Sequence, residues 1–291
     1  MNDLAPALYF ADTFYVVPPI RNENYISTLL DICEKEQIRL LVPTIDTELE
    51  KLAINVEEFK KIGTTVLISD KEFISITNDK RKTYKMFKKI GVKTPESFWE
   101  GKAYRGTFPC FIKPISGSSS INAFKVNNKK ELIFFKYYIG DYIIQELIEG
   151  QEYTIDVFCD FSGNPIYITP RLRIATRSGE VAKAKIENDK KLIEDVKKII
   201  AYAKPKGPVT IQAIKSVLDN EFYFIEINAR FGGGSPLSMK AGANSIEALY
   251  ELLDGKKLQF KQNAARPNYI FLRFDQSIAL YEGDDGNYQK I

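Results

Sequence analysis

From the first residues to about Asp79, apolar clusters alternate between short runs and helical spacing. Phe14-Tyr15-Val16-Val17 is a β-type run closed by Pro18-Pro19, and Tyr25, Leu29, Leu30, Ile32 and Cys33 then recur at helical intervals up to Gln37. Ile38 to Val42 predicts a second buried strand ended by Pro43. A helix over about 47–61, with Gly63 as its stop, and a third run Thr65-Val66-Leu67-Ile68 follow. This βαβαβ rhythm predicts a parallel sheet. It contains no GxGxxG, so a dinucleotide-binding half has no support. The unit also lacks the leading strand and glycine-rich turn that usually open such a layer, so either a small sheet or a truncated N-terminus is expected.

Beyond Asn78-Asp79, which cap a basic helix over 80–90 ended by Gly91, the pattern changes to strands and hairpins. Phe108 to Pro114 is a strand followed by the loop Ser116-Gly117-Ser118-Ser119-Ser120. A strand at about 121–126, a helix at about 128–138 and the strand Tyr142 to Leu147 come next. Tyr153 to Cys159 and Pro165 to Thr169 predict a hairpin around Ser162-Gly163-Asn164. A helix over about 189–203 leads into the strands Val209 to Leu218 and Phe222 to Asn228, and the tail adds Tyr269 to Phe274. The fold class is thus α/β plus α+β, divided as 1–78, 79–150 and 151–291.

Composition removes whole classes of chemistry. There is no histidine, which excludes Ser-His-Asp and Cys-His systems, imidazole-ligated zinc and a histidine proton shuttle. Cys33, Cys110 and Cys159 lie far apart without CxxC spacing, the usage of reduced core thiols in a cytoplasmic protein. The net charge of +3 argues for no nucleic-acid partner, and no apolar run approaches the ~18 residues of a membrane span.

Three elements carry candidate chemistry. The apolar strand Pro109-Cys110-Phe111-Ile112 delivers Lys113 beside a Gly/Ser loop whose N–H groups and hydroxyls suit anionic oxygens, and Lys80 starts the preceding basic helix. Each is also readable as a solvated lysine. The segment Gln145-Glu146-Leu147-Ile148 breaks a β-run before Gly150, offering backbone groups and apolar walls to a planar base, with Glu152 in reach of hydroxyls. Its acids are equally readable as exposed turn residues. In the third element, a connection of only Asp219-Asn220-Glu221 would set Gln212 opposite Asn228 and Ile214 opposite Glu226. Alternation then gathers Gln212, Glu226 and Asn228 on one face, an oxygen set suited to magnesium when phosphates complete the charge. Arg230 and the run Phe231-Gly232-Gly233-Gly234-Ser235 follow, equally readable as a plain loop, while Arg171, Arg173, Arg177 and Lys183 collect on the preceding hairpin and need anions nearby or open water, Arg177 being readable as a solvated edge charge.

Taken in order, Asn78-Asp79-Lys80, Phe111-Ile112-Lys113-Pro114, the Ser116 to Ser120 loop, Gln145 to Glu152 and Glu226-Ile227-Asn228-Ala229-Arg230-Phe231-Gly232-Gly233-Gly234 resemble the ATP-grasp superfamily. The likeness is to its carbamoyl-phosphate-synthetase-large-subunit-like ligases, and it is good over about 70–255. The resemblance implies an ATP-grasp fold with a small lobe at 79–150 and a large lobe at 151–291, preceded by a shortened parallel α/β (pre-ATP-grasp) domain. It also implies ATP with Mg2+ or Mn2+. On it, Lys80 and Lys113 contact phosphates, Ser116, Gly117, Ser118 and Ser119 belong to the phosphate flap, Gln145, Glu146, Leu147 and Ile148 form the adenine hinge, and Glu152 meets the ribose. Gln212, Glu226 and Asn228 are the metal ligands it implies, and Arg230, with Arg173 and Lys183, serves the reacting groups. Ala229 stands where the family often has proline. The reaction implied joins a small carboxylate to an amine through an acyl phosphate, and a homodimer is common among such ligases. The alternative is a catalytically idle ATP-binding or regulatory module; a carbamoyl-phosphate subunit using bicarbonate fits less well, because such enzymes carry two related halves.

Overall fold

Helical and extended segments do alternate from the N-terminus, but the sheet they build is smaller than the pattern predicts. The computed structural model describes residues 4–101, 104–117, 121–177, 179–283 and 288–290. After a 3-10 turn come α1 (Tyr25–Lys35), β1 (Leu40–Leu41), α2 (Asp46–Ile54), α3 (Val56–Lys61), β2 (Thr65–Val66) and α4 (Lys71–Asn78). β1 and β2 pair in parallel. The run Phe14 to Val17 is not a strand: Phe14 and Val16 are exposed and no neighbour takes up its backbone groups. The helix predicted over 47–61 divides at Asn55, whose Nδ2 donates to the Lys51 carbonyl at 2.8 Å while its backbone leaves the helical region. Such local bonding is how asparagine competes with a helix ladder.

Asp79 starts α5 (Lys80–Ile90) by accepting from the Arg81 N–H at 2.8 Å, and Gly91 ends it at φ 81°, the left-handed cap that glycine adopts without strain. There follow β3 (Ser97–Trp99), β4 (Cys110–Pro114), β5 (Phe124–Val126), α6 (Lys129–Ile139) and β6 (Tyr142–Glu146), which form an antiparallel sheet in the order β3-β6-β4-β5. Alternation along β4 sends Cys110 and Ile112 into a core with Val126, Leu132 and Ile144, so Phe111 and Lys113 face the other way.

A second sheet, in the order β11-β10-β7-β8-β9-β12, is built from β7 (Gly150–Cys159), β8 (Pro165–Arg177), β9 (Glu180–Ile186), β10 (Gly207–Ser216), β11 (Phe222–Asn228) and β12 (Ile270–Leu272). α7 (Lys190–Ala203) lies between β9 and β10, and α8 (Ser235–Lys240) and α9 (Ser245–Leu253) follow β11. β13 (Leu280–Glu282) and β14 (Tyr288–Lys290) pair separately. β8 continues well past Thr169, carrying Arg171 and Arg173 within the sheet, whereas the tail strand shrinks to three residues at the sheet edge.

One face of this sheet shares a core with α7, with Leu49, Leu52 and Phe59 from the N-terminal unit, and with Met86 and Phe87 of α5. Phe87 packs at 5.7 Å between ring centroids on Phe224. The helix that opens the 79–150 division therefore packs between the sheets, with Phe87 on the six-stranded one and Tyr84 against Trp99 of β3 at 6.0 Å between ring centroids.

The β10–β11 register differs from the expected one. Gln212 faces Glu226 and Thr210 faces Asn228; it is not Gln212 opposite Asn228, nor Ile214 opposite Glu226. Two causes act. The connection is longer than three residues, since β10 ends at Ser216 and the Ser216 N–H donates to the Glu221 carbonyl at 2.9 Å. A bulge between Gln212 and Ala213 then takes up Ile225 as an extra residue on β11. A shift of two residues preserves the face, so Gln212, Glu226 and Asn228 still lie on one side.

Candidate functional site

Between the two sheets lies a cavity of about 440 Å3. Its cations come from different elements. Lys113, on the β4 face turned away from that sheet's core, is buried. Burial drives its ammonium down from the ordinary lysine value to about 8, with Glu226 opposing the fall and Lys80 adding to it. Lys80, the first residue of α5, is also buried and its Nζ donates to the Gly117 carbonyl at 2.8 Å. Burial lowers its affinity for a proton, against the opposing charges of Glu226, Asp46 and Asp79. Gly117 sits at φ 100°, which orients that carbonyl at no steric cost.

The wall opposite contains the connection from β6 to β7. Gln145, Glu146, Leu147, Ile148 and Glu152 all line the cavity. The Gln145 side chain is buried and its Nε2 donates to Ser97 Oγ at 3.0 Å. Leu147 and Ile148 stand between the end of one sheet and the start of the other, outside both ladders. Phe111, Ile121, Ile214 and Ile225 supply apolar walls, and the bulge is what lets Ile225 and Glu226 both reach the cavity. Ser116 and Gly117 line it as well; Ser118, Ser119 and Ser120 lie outside the described residues.

Gln212 and Glu226 are direct cross-strand partners, with Asn228 two residues further along the same face. Among the described residues no group of three His, Cys, Asp or Glu exists that could hold a metal alone. Two amide oxygens and one carboxylate beside two lysines form a set that fits a hard divalent ion only in company with phosphate oxygens, the way Mg2+ is usually held.

A smaller cavity of about 70 Å3 adjoins the first and shares Arg173, Gln212 and Glu226 with it. Three arginines line it, each tethered by an acid. Arg171 is 1% exposed and makes a two-pronged pair with Asp156, Nε to Oδ2 at 2.7 Å and Nη2 to Oδ1 at 2.9 Å. Arg173 meets Glu152 at 3.3 Å and donates to the Gly179 carbonyl at 2.8 Å. Arg230 donates to Asp46 of α2 at 2.5 Å and to the Phe231 carbonyl at 3.0 Å. Each nevertheless keeps one buried nitrogen without a partner: Arg171 Nη1, Arg173 Nε and Arg230 Nε. A buried donor left unmade costs about 1–3 kcal/mol, so three on one small cavity call for an acceptor there.

Lys183 does not join this group. It is exposed, pairs with Ala175 and Leu272 near the sheet edge and lines neither cavity. Arg171 pairs with Ile186 and Arg173 with Ala184, so alternation along β9 places Lys183 on the face opposite the two arginines. Arg177 is likewise outside, paired with Asp275. Conversely, Asp156 and Asp46 belong to the site and were not singled out. Asp156 had a readable signal, a carboxylate alternating with Thr154 in an otherwise apolar strand; Asp46 reaches Arg230 only through tertiary packing.

Comparisons with known proteins bear on the family and the fold. A family model described as an ATP-grasp domain matches residues 77–234, more than half the chain, and one described as a PylC-like N-terminal domain matches residues 1–67. The D-alanine--D-alanine ligase of Fusobacterium nucleatum is 31% identical over 184 residues, covering 60% of this chain and 61% of that protein. The carbamoyl phosphate synthase large chain of a Thermoanaerobacter species is 26% identical over 234 residues, 71% of this chain and 21% of that one. The chain thus spans less than two thirds of the length of either curated relative. Among solved structures, a biotin carboxylase complex from Campylobacter jejuni superposes with a TM-score of 0.72 at 20% identity, over 90% of this chain and 65% of its own, a likeness of fold. No helix among the described residues is long and apolar enough to cross a membrane.

Proposed function

We propose, from the premise that this chain belongs to the ATP-grasp domain family, that it is a ligase which activates a small carboxylate with ATP and Mg2+ and passes the acyl group to an amine. One observation carries the reading. A single cavity is lined by Lys80, Lys113, Gln145 to Ile148, Glu152, Gln212 and Glu226, residues from stretches up to 146 positions apart (80 to 226). In this reading Lys80 and Lys113 take the phosphates, Leu147 and Ile148 offer free backbone groups and apolar contact to the base, and Glu152 accepts from the sugar. Gln212, Glu226 and Asn228 would hold Mg2+, which when bound neutralises phosphate charge. The units 1–78, 79–150 and 151–291 are an N-terminal α/β domain and two lobes about the cavity.

The chain's own residues then have defined tasks. Lys113 and Lys80 hold the terminal phosphate in line and Arg230 steadies charge on the transferred group. A substrate carboxylate oxygen bonds to the γ-phosphorus as the bond to the β–γ bridging oxygen breaks, ADP leaving with that electron pair. An amine next attacks the acyl carbon, phosphate leaves and the amine gives up its proton. Phosphoryl transfer of this kind rests on positioning and charge neutralisation, which suits a chain without histidine.

The test is a coupled assay of ADP release over panels of carboxylates and amines. ADP formation that needs one member of each class is the expected result. Mg-ATP binding with no ADP release under any pair would leave the chain as a nucleotide-binding module only.

A further inference from the structure

Gln145 and Phe111 face the larger cavity side by side, and the residue that completes their row does not touch it. In register, Ser97 of β3 lies beside Gln145 of β6, and Gln145 beside Phe111 of β4. Gln145 and Phe111 line the cavity, whereas Ser97 is fully buried and lines neither cavity. Ser97 Oγ has one proton to give. It lies 2.9 Å from the Pro95 carbonyl and 3.0 Å from the Gln145 amide. A carbonyl can only accept, Pro95 is buried, and among the described residues no other group donates to it. The proton therefore goes to Pro95, because a buried carbonyl left unpaired is costly. Ser97 Oγ can then only accept from Gln145, so the amide turns its Nε2 to Ser97. Its Oε1 must face the other way. That oxygen takes no hydrogen bond among the described residues and is not shut off from the cavity.

We infer that Ser97 is a positioning residue for base recognition. By fixing the Gln145 amide it presents an acceptor to the cavity, and so favours a purine with an amino group at the 6-position over one with oxygen there. The inference rests on the nucleotide part of the ligase reading and adds to it the residue that sets base preference. Polarity decides the choice. An exocyclic amino group gives a hydrogen to Gln145 Oε1, while a carbonyl oxygen would set lone pair against lone pair. The surroundings agree. Phe111 offers a ring to the face of a planar base, and Leu147 and Ile148 keep backbone groups outside both ladders for its edge. The strand that carries Gln145 cannot shift to compensate, because β6 is paired on both sides, by β3 and by β4. Ser97 thus acts from 48 positions away without touching the ligand. Without its hydroxyl the amide loses the acceptor that orients it, and either end can face the base.

The test is calorimetric titration of the full 291-residue chain with three nucleotides as their magnesium complexes. ATP is compared with purine riboside triphosphate, which lacks only the exocyclic amino group, and with ITP, which carries oxygen in its place. The wild type is expected to bind ATP about threefold to tenfold more tightly than purine riboside triphosphate, the worth of one hydrogen bond, and to bind ITP most weakly. In Ser97→Ala the preference for ATP over purine riboside triphosphate should shrink to within about twofold, and ITP should gain at least about threefold relative to ATP. The ring proton that ITP also carries is the same for both chains, so a change in its ratio reports the 6-position. A merely structural loss would weaken all three nucleotides alike and leave the ratios untouched. Ser97→Thr keeps the hydroxyl and should keep the wild-type ratios. Ser97→Cys, of nearly the same shape but a weak acceptor, should lower them as alanine does and serves where the alanine variant does not fold. Equal binding of ATP and purine riboside triphosphate by the wild type, or wild-type ratios in the alanine or cysteine variant, overturns the inference and leaves the nucleotide cavity standing. No binding of any of the three by the wild type removes the nucleotide site itself, and the inference with it.

Discussion

The two cavities hold positive charge by opposite means. In the larger, Lys113 and Lys80 are buried ammonium groups whose hold on a proton burial has weakened, and Lys80 is already engaged with Gly117. In the smaller, three arginines are aimed by Asp156, Glu152 and Asp46. A lysine in an apolar recess gains most from an arriving anion, because the anion restores the charge that burial opposes. A guanidinium pinned by a carboxylate gains direction instead, since the nitrogen left over points one way. The contrast assigns adaptable charge to the side where a polyanion would enter and leave, and fixed direction to the side where a reacting group must be oriented.

Removing a fixed director should cost the most. Arg230→Ala is expected to lower kcat by about 100- to 1000-fold, the loss seen when one preorganised charge-stabilising donor is deleted. Mg-ATP affinity should stay within about twofold, because Arg230 lines only the smaller cavity. ADP release and calorimetry on the same preparation check both halves, and wild-type turnover would take Arg230 out of the chemistry. On the other side, Lys113→Ala and Glu226→Gln should each weaken Mg-ATP by about 10- to 100-fold. Lys113→Ala should not lower the melting temperature, since it removes charge from a buried position, and Glu226→Gln keeps the shape of a half-buried side chain. Unchanged affinity in both variants would dismantle the nucleotide site.

The two sides also differed in how far the sequence revealed them. The lining of the larger cavity was readable because its residues announce themselves locally: Lys113 ends an apolar strand beside a Gly/Ser loop, and Glu226 interrupts Phe222 to Ile227. Alternation put Gln212, Glu226 and Asn228 on one face even though the register was off by two, because a period of two forgives an even error. The arginine side depends on what alternation cannot carry. β8 had to run beyond Thr169, its pairing had to set Ala184 rather than Lys183 beside Arg173, and Asp46 had to arrive from 184 positions distant. The N-terminal sheet was over-read for a related reason. Phe14 to Val17 has strand composition, but a strand exists only where a partner does, and composition does not say whether one is near.

The adaptable side makes a prediction in pH. The folded-state value of Lys113, about 8, lies below the ordinary lysine value of 10.5. Between those two values the unfolded chain binds more protons than the folded one, so stability rises with pH across that window and is lowest below it. The rise is about 3 kcal/mol in order of magnitude, and Lys113→Met should abolish it while stabilising the chain at pH 7. Mg-ATP affinity should run the other way, falling by at most about tenfold per unit above pH 8 as the free lysine empties. Binding at pH 8.5 to 9 should then take up a proton. Calorimetry in two buffers of different ionisation enthalpy measures that uptake directly, and none detected would mean that Lys113 keeps its charge in the free chain.

The smallest effect sharpens the comparison most, because Asp46 touches both sides. Its carboxylate pins Arg230 at 2.5 Å, and its charge also supports the proton on Lys80. Both partners of the ion pair are largely shielded from water, so neutralising one loosens the arginine at some cost in stability, and the kinetic comparison is made well below the variant's melting temperature. Asp46→Asn keeps the shape and removes the charge. If direction is what the arginine cavity supplies, kcat should fall by about threefold to tenfold, the effect of a loosened rather than a deleted donor, while KM for ATP changes little. If Asp46 acts chiefly through Lys80, KM for ATP should rise instead, kcat should hold, and the proton uptake on nucleotide binding should grow. The Asp46→Glu variant separates charge from reach: restored KM with kcat still low would assign Asp46 to both cavities, its charge to the lysine and its geometry to the arginine.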